Sequence, residues 1–170
     1  HGDTKHVLLF PEDPHECFEF AAQCLDLADR LQTPVFMMTD LDIGMNQRLA
    51  KPFKWDDSRQ YDRGKVLSRE ELEAGKEFAR YKDIDGDGIP YRTYPGTHPD
   101  KGAYFTRGTS RNPQAQYSER GADYVYNMQR LLKKFDTAKN LVPQPIVSKS
   151  EVHARHGAIH FGSTSPAMQE

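Results

Sequence analysis

A strand–helix–strand pattern over residues 6–40 constrains the fold more than any other feature of the sequence. The apolar run HVLLF at 6–10 suits a buried strand, and PVFMMTD at 34–40 suits a second one. Between them, apolar residues recur at helical spacing from Cys17 to Leu31. A crossover of this length joins parallel strands, so the sequence predicts a βαβ unit and an α/β fold.

The boundaries of this helix are also readable from the sequence. Asp13 is placed as the N-cap, Pro14 as the first helical residue and Glu16 as the third. At the other end, Thr33 precedes Pro34, and a residue before proline is disfavoured in the helical conformation. The pattern therefore predicts a helix that begins after Asp13 and ends before Thr33.

The segment from 41 to 117 has a different character. Pro, Gly, Asp, Arg and Tyr dominate it, and regular apolar periodicity is lost. A capping box between Ser68 and Glu71 predicts one short helix. Compact domains seldom contain so long an irregular segment, so we expect it to pack against another part of the protein.

A second clear helix is predicted near 118–138, with Ser118 as its N-cap. Beyond it, residues 140–156 read as an interdomain linker, and 157–161 read as a strand. The face of the helix predicted to be buried consists of Ala122, Val125, Met128, Leu132 and Phe135.

Composition excludes several classes of protein. The formal net charge of −2 argues against a dedicated nucleic-acid surface, and no apolar run reaches the roughly 18 residues of a membrane span. Cys17 and Cys24 would lie about 10 Å apart on one helix, beyond disulfide reach, and two cysteines are too few to hold an iron–sulfur cluster alone. We therefore expect a soluble, cytoplasmic protein.

An aspartate-rich stretch, KDIDGDGIPY at 82–91, is the clearest candidate for a site. It matches the D-x-D-x-D-G start of a calcium loop at Asp83, Asp85 and Asp87. The twelfth position of that loop requires a bidentate Glu and is Tyr94 here, so a complete EF-hand is excluded. Two interpretations stay open: a smaller turn that binds Ca²⁺ or Mg²⁺, and an acidic turn whose carboxylates bind backbone N–H groups and basic side chains.

The same stretch contains GDG at 86–88, which opens the Mg²⁺–diphosphate motif of thiamine enzymes. The residues before it, ARYKDI, are not an apolar strand, and phosphate sites of this kind need a strand end to position the loop. This interpretation is rejected. The sequence also shows no nucleophile–base pair or paired carboxylates at distinctive spacing, so spacing alone identifies no catalytic residue.

Longer stretches carry a more specific resemblance. Residues 1–40 resemble the last part of the thiamine pyrimidine-binding domain in the α subunit of 2-oxoacid:ferredoxin oxidoreductases. YDRGKVL at 61–67, DGDGIPYRTYPGTHPDKGAYFTRGTS at 85–110 and YSERGADYVYNMQRLLKKFDTAKNLVP at 117–143 resemble the 2-oxoglutarate branch, whose α subunit carries a fused γ domain. GAIHFGSTSPAMQE at 157–170 resembles the start of a transketolase-C-terminal-like domain.

The resemblance implies an internal piece of a longer polypeptide, of fold class α/β. Residues 1–46 would end a transketolase-like, thiamine pyrimidine-binding parallel-sheet domain, and 47–139 would be an irregular insertion with helices. After the linker at 140–156, residues 157–170 would supply the first strand of a transketolase-C-terminal-like domain. Tyr91, Tyr94, Tyr104 and Phe105 of the insertion are expected to anchor it across a subunit interface.

The family oxidatively decarboxylates a 2-oxoacid to acyl-CoA and reduces ferredoxin. The resemblance thus implies thiamine diphosphate with Mg²⁺, a [4Fe–4S] cluster and coenzyme A in the whole complex. It also implies a β subunit as partner and an (αβ)2 assembly. The segments that hold thiamine and the substrate carboxylate in the family do not occur in this sequence, so no catalytic or cofactor-binding residue is carried over.

Three alternatives remain beside this scaffold interpretation. The same enzyme class could act on pyruvate or a branched 2-oxoacid. Asp83, Asp85 and Asp87 alone would support a non-enzymatic Ca²⁺- or Mg²⁺-binding interaction module. An isolated helical adaptor would have to fold as a monomer without partners, which the exposed apolar face of a half domain disfavours.

Overall fold

The computed structural model describes residues 5–108, 110–149 and 153–170. It is α/β and divides into two compact units. The loop–helix unit contains Lys5, Asp29–Gln32 and Arg63–Val142. The sheet unit contains His6–Ala28, Thr33–Asp62 and Pro143–Glu170.

The predicted βαβ unit is confirmed. Strand β1 (Val7–Leu9) pairs in parallel with β2 (Val35–Met37), and helix α1 (Pro14–Leu31) joins them. The cap predicted from the sequence is formed, because Glu16 N donates to Asp13 Oδ1 at 2.7 Å. Helix α1 ends where the backbone of Gln32 turns left-handed, with φ of 51°.

The two faces of this small sheet differ in burial. Val7 and Leu9 are buried, as are Phe20 and Leu27 of α1, and they form the core of the sheet unit. Leu8 points to the opposite face and is half exposed. Further along, helix α2 (Leu41–Met45) begins at Asp40, whose Oδ1 accepts a hydrogen bond from Ile43 N at 3.0 Å. Residues 46–62 form no helix or strand.

The irregular segment predicted by the sequence makes up most of the loop–helix unit. Its one short helix, α3 (Arg69–Glu73), begins with the predicted capping box between Ser68 and Glu71. An isolated parallel bridge joins Val66 to Arg92. The buried apolar residues of the unit are few and come from separate loops and helices: Leu31, Leu67, Leu72, Ala79, Ile89, Ala115 and Ala138.

Helix α4 (Gly121–Ala138) is the predicted second helix, but it begins later than expected. Arg120 is its N-cap residue, and the prediction of Ser118 was wrong. The hydroxyl of Ser118 donates to Asp123 Oδ2 at 2.6 Å, and it accepts a hydrogen bond from Arg120 N at 3.2 Å. The N–H that the Ser118 hydroxyl binds belongs to Arg120, the residue before the helix, and not to the first helical turn.

The buried face of α4 also differs from the predicted one. Arg130, Lys134 and Ala138 are buried, whereas Val125 and Leu132 of the predicted apolar face are about half exposed. The helix packs its basic side chains against an irregular loop instead of an apolar layer. The reason lies in the hydrogen bonds of that loop, described below.

The C-terminal part contains no paired strand among the described residues. Residues 157–161 were predicted as a strand, yet they bond to no other strand, and Ile159 is fully exposed. A strand forms only where a partner accepts its ladder bonds, and none of the described residues supplies one. A 3-10 turn (Gly162–Thr164) and the short helix α5 (Ser165–Gln169) follow. None of the described helices is long and apolar enough to cross a bilayer.

Candidate functional site: an acidic loop and a cationic pocket on helix α4

The aspartate-rich loop, residues 83–89, closes around a lysine side chain. Lys65 Nζ donates to Asp85 Oδ2 at 2.6 Å, to Asp87 Oδ1 at 2.9 Å and to Ile89 O at 3.1 Å. Asp87 Oδ1 also accepts from Ile89 N at 2.9 Å, which tightens the turn. The ammonium group of Lys65 therefore supplies the positive charge that these two carboxylates face.

Asp83 points elsewhere. Its Oδ1 accepts from Gly86 N at 2.9 Å, and its Oδ2 lies 3.4 Å from Lys133 Nζ. Among the residues that the structure describes, no group of three or more His, Cys, Asp or Glu side chains is placed to hold a metal ion. The metal interpretation of Asp83, Asp85 and Asp87 gains no support from this geometry and stays a prediction.

The charges of the loop shift the pKa values of its groups. The hydrogen bond from Lys65 lowers the pKa of Asp85. Burial opposes the charged form of Lys65, but hydrogen bonds to Asp85 and Asp87 outweigh it and raise the pKa of that ammonium group. Lys65 thus keeps its charge, and the loop is held by charge-assisted hydrogen bonds.

We expect Lys65→Gln to lower the free energy of unfolding by about 1–3 kcal/mol, because two carboxylates lose their charged donor and repel each other. Chemical denaturation of the intact protein at neutral pH measures this. Lys139→Gln is the control, because Lys139 is an exposed lysine whose pair with Asp136 is worth about 0–1 kcal/mol. Equal losses in the two variants would mean that Lys65 does not organise the loop.

The acidic loop is docked on helix α4 by its backbone. Arg130 Nη1 donates to Gly88 O at 3.0 Å, and Thr137 Oγ1 donates to Asp87 O at 2.7 Å. Gly88 has φ of +80°, and a Cβ at this position would lie 2.3 Å from Lys134 N and 2.6 Å from Arg130 O. Loop and helix backbones are therefore in direct contact, and this contact buries Arg130 and Lys134.

Beside this contact lies a pocket of about 250 Å³ with a strongly basic lining. Helix α4, the segment around Tyr81 and the segment around Arg111 provide its walls. None of the described residues that line it is Asp or Glu. Its lining residues are Leu31, Gln32, Arg80, Tyr81, Pro90, Ser110, Arg111, Tyr124, Asn127, Met128, Arg130, Leu131 and Lys134.

The four cationic side chains of the pocket are Arg80, Arg111, Arg130 and Lys134, and the charge of Asp83 acts on Arg130 through space. No described carboxylate lies within ion-pair distance of any of them. Lys134 and Arg130 are only 4% and 8% exposed. The Nε atoms of Arg80 and Arg130 are buried without a hydrogen-bond acceptor in the described structure.

Aromatic and amide groups complete the lining. Arg111 Nη1 donates to Tyr81 Oη at 3.0 Å, and the guanidinium of Arg80 lies 5.1 Å from the centre of the Tyr81 ring. Stacking on the ring fixes a guanidinium without neutralising it. Asn127 Nδ2 donates to the backbone at Arg111 O, at 2.7 Å, which ties α4 to the opposite wall.

The pKa values of the two buried cations differ from their ordinary values. Burial, together with the nearby charges of Arg130 and Arg80, lowers the pKa of Lys134 to about 8. Burial also lowers the pKa of Arg130. Burial thus disfavours the positive forms of both groups, and an anion bound in the pocket would offset that penalty.

No pattern in the sequence predicted this pocket. Arg130 and Lys134 are four residues apart and share one face of a helix, but such pairs normally face solvent. Arg80 and Arg111 come from distant loops without regular structure. The acidic loop contacts Arg130 on α4, and Asn127 ties α4 to Arg111, so contacts between distant segments bring these residues together.

The sequence is similar to those of several known proteins. No family model matches the sequence. The α subunit of 2-oxoacid:ferredoxin oxidoreductase 1 from Sulfurisphaera tokodaii and the α subunit of a Sulfolobus 2-oxoacid:ferredoxin oxidoreductase are each 24% identical over 174 aligned residues. These alignments cover the whole of this chain and 26% of the relatives, so the chain spans about a quarter of their length.

A third relative has a name that specifies its substrate, but it matches a shorter part of this chain. The 2-oxoglutarate synthase subunit KorA from Methanothermobacter marburgensis is 33% identical over 55 residues, which cover 32% of this chain and 15% of that subunit. Together these relatives confirm the resemblance of the chain to α subunits of 2-oxoacid:ferredoxin oxidoreductases.

Proposed function

We propose that this chain is part of the α subunit of a thiamine diphosphate-dependent 2-oxoglutarate:ferredoxin oxidoreductase. In the complex, it serves as scaffold and subunit interface and not as a catalytic segment. The observation that carries the proposal is the alignment of the entire chain with α subunits of 2-oxoacid:ferredoxin oxidoreductases. The match to a 2-oxoglutarate synthase subunit supports 2-oxoglutarate as the substrate.

The complex would convert the 2-oxoacid to acyl-CoA and carbon dioxide and pass the electrons to ferredoxin. It would use thiamine diphosphate with Mg²⁺, a [4Fe–4S] cluster and coenzyme A. Its partners would be a β subunit and ferredoxin, in an (αβ)2 assembly in the cytoplasm. The residues 1–46 would end the pyrimidine-binding domain, and 157–170 would begin the next one.

The described residues of this chain do not fit the cluster or the diphosphate. Burial raises the pKa of the Cys17 and Cys24 thiols, which disfavours the thiolate form that ligates iron. At Gly86-Asp87-Gly88, the carboxylate is bonded to Lys65, and the Gly88 backbone lies against α4. We therefore derive no catalytic step through these groups from this chain, which agrees with a scaffold role.

The sheet unit supports the scaffold role. Leu8 and Phe36 are paired in register on adjacent strands, and both are about half exposed. Parallel sheets are normally covered on both faces, so this apolar face fits burial against the rest of the pyrimidine-binding domain. On the loop–helix unit, Phe105 is 80% exposed, as expected for an interface anchor.

Purification of the protein from its native source tests the proposal. We expect mass spectrometry to find this sequence within a longer polypeptide, together with a cluster-bearing β subunit. The complex should reduce methyl viologen with 2-oxoglutarate faster than with pyruvate. A higher rate with pyruvate would reassign the substrate, and a complex without 2-oxoacid-dependent reduction would contradict the enzyme class.

A further inference from the structure

The basic pocket on α4 contains more positive charge than its surroundings balance. Four cationic side chains line it, and the described lining includes no carboxylate. Buried charges are stable only when they are paired or hydrogen-bonded, because removing an ion from water costs several kcal/mol. The acidic loop supplies little of the missing charge, since Asp85 and Asp87 are bonded to Lys65, and Asp83 is paired with Lys133 and acts on Arg130 only through space.

Two of these cations are almost fully buried and can donate further hydrogen bonds. Lys134 is 4% exposed, and no described carboxylate offsets its charge. The centre of the Phe135 ring lies 5.4 Å from Lys134 Nζ. Arg130 uses Nη1 on Gly88 O, while its Nε has no acceptor. These donors line a cavity that a ligand can enter.

The charge and size of the pocket select its ligand. Phosphate groups carry about −1.5 to −2 charges with three strong acceptor oxygens, whereas a carboxylate carries one charge. Arginine forks bind such oxygens in pairs, and the pocket has three arginines. Its volume of about 250 Å³ lies below the roughly 300–1,000 Å³ of pockets for drug-sized ligands, so the ligand is small.

We propose that the pocket lined by Arg80, Arg111, Arg130 and Lys134 is a binding site for a phosphate group, either inorganic phosphate or a small phosphate monoester. The Arg111–Tyr81 hydrogen bond and the stacking of Arg80 on Tyr81 hold two of the guanidinium groups in place before binding. This inference does not depend on the proposed oxidoreductase function.

Equilibrium dialysis of the intact protein against radiolabelled inorganic phosphate tests the proposal. We expect Lys134→Met and Arg80→Met each to weaken one binding event by about tenfold to a hundredfold, because each removes a charge-assisted hydrogen bond. Lys139→Met removes a positive charge outside the pocket and should leave binding unchanged. Comparing variants isolates this site from any other phosphate site in the protein.

Competition with ribose 5-phosphate identifies the source of the phosphate group. If ribose 5-phosphate displaces labelled phosphate at a lower concentration than unlabelled phosphate does, a monoester is the preferred ligand. Displacement only by inorganic phosphate would identify the free ion. With either result, the binding that the competitor displaces must be weakened by Lys134→Met.

A second measurement does not depend on how well any one variant folds. At pH 8.5, phosphate binding should draw a proton onto Lys134, which calorimetry in buffers of different ionisation enthalpy detects. The other titratable groups that line the pocket are Tyr124 and Arg130 on the same helix, and Arg80, Tyr81 and Arg111 from other segments. Wild-type protein without proton uptake, or binding that is equal in wild type, Lys134→Met and Arg80→Met, would overturn the proposal.

Discussion

Gly88→Ala is expected to lower the free energy of unfolding by about 3 kcal/mol or more. The residue has φ of +80°, where an L side chain costs about 1–2 kcal/mol. Its Cβ would also lie 2.3 Å from Lys134 N and 2.6 Å from Arg130 O. Both are backbone atoms of α4 and cannot rotate away, so the loop would have to leave the helix.

Gly86→Ala is a matched control in the same loop. Gly86 also has φ of +80°, but a Cβ there would meet only the flexible end of Lys133, at 3.6 Å. It should therefore lose about 1–2 kcal/mol from backbone strain alone. Denaturant titrations followed by circular dichroism compare the two variants, and equal losses would show that the loop does not rest on α4 as described.

Local signals explain the parts of the fold that the sequence predicts well. The Asp13 cap, the Ser68–Glu71 capping box and the βαβ pattern each depend on residues close together in the chain. The stop of α1 at Gln32 likewise follows from the Thr33-Pro34 pair. These interactions need no information about distant segments.

The burial of α4 could not be predicted in this way. Helical periodicity assumes that the partner surface is apolar, so it placed Val125 and Leu132 inward. The partner is instead a loop with backbone carbonyls, and Gly88 O accepts a hydrogen bond from Arg130. The aliphatic stems of Arg130 and Lys134 pack well enough to be buried.

The acidic loop illustrates the same limit. The sequence predicts an acidic turn at 83–89 and leaves open which cation orders it. The cation in the structure is the ammonium group of Lys65, 20 residues before Asp85 in the chain. Nothing near Lys65 in the sequence marks it as a partner of the loop, since one lysine among polar residues is normally solvated.

Lys134→Met is expected to raise the free energy of unfolding by about 3 kcal/mol below pH 8, when no phosphate is present. Burial and the charges of Arg130 and Arg80 lower the pKa of Lys134 from 10.5 to about 8, and each pH unit of such a shift corresponds to about 1.4 kcal/mol. Methionine fills a similar volume without a charge to desolvate. Denaturant titrations at pH 7 measure the difference, with Lys139→Met as the exposed control.

The pH dependence gives the sign of the effect independently. In the unfolded chain Lys134 keeps its proton up to about pH 10.5, whereas the folded protein releases it near pH 8. Between these values the unfolded state binds more protons, so the free energy of unfolding of the wild type rises with pH. Lys134→Met should remove this rise. Saturating phosphate should reduce the difference in the free energy of unfolding between Lys134→Met and wild type at pH 7, because the ligand stabilises the charged lysine. A variant that is less stable than wild type at pH 7 without phosphate would show that the positive charge of Lys134 is already compensated within the fold.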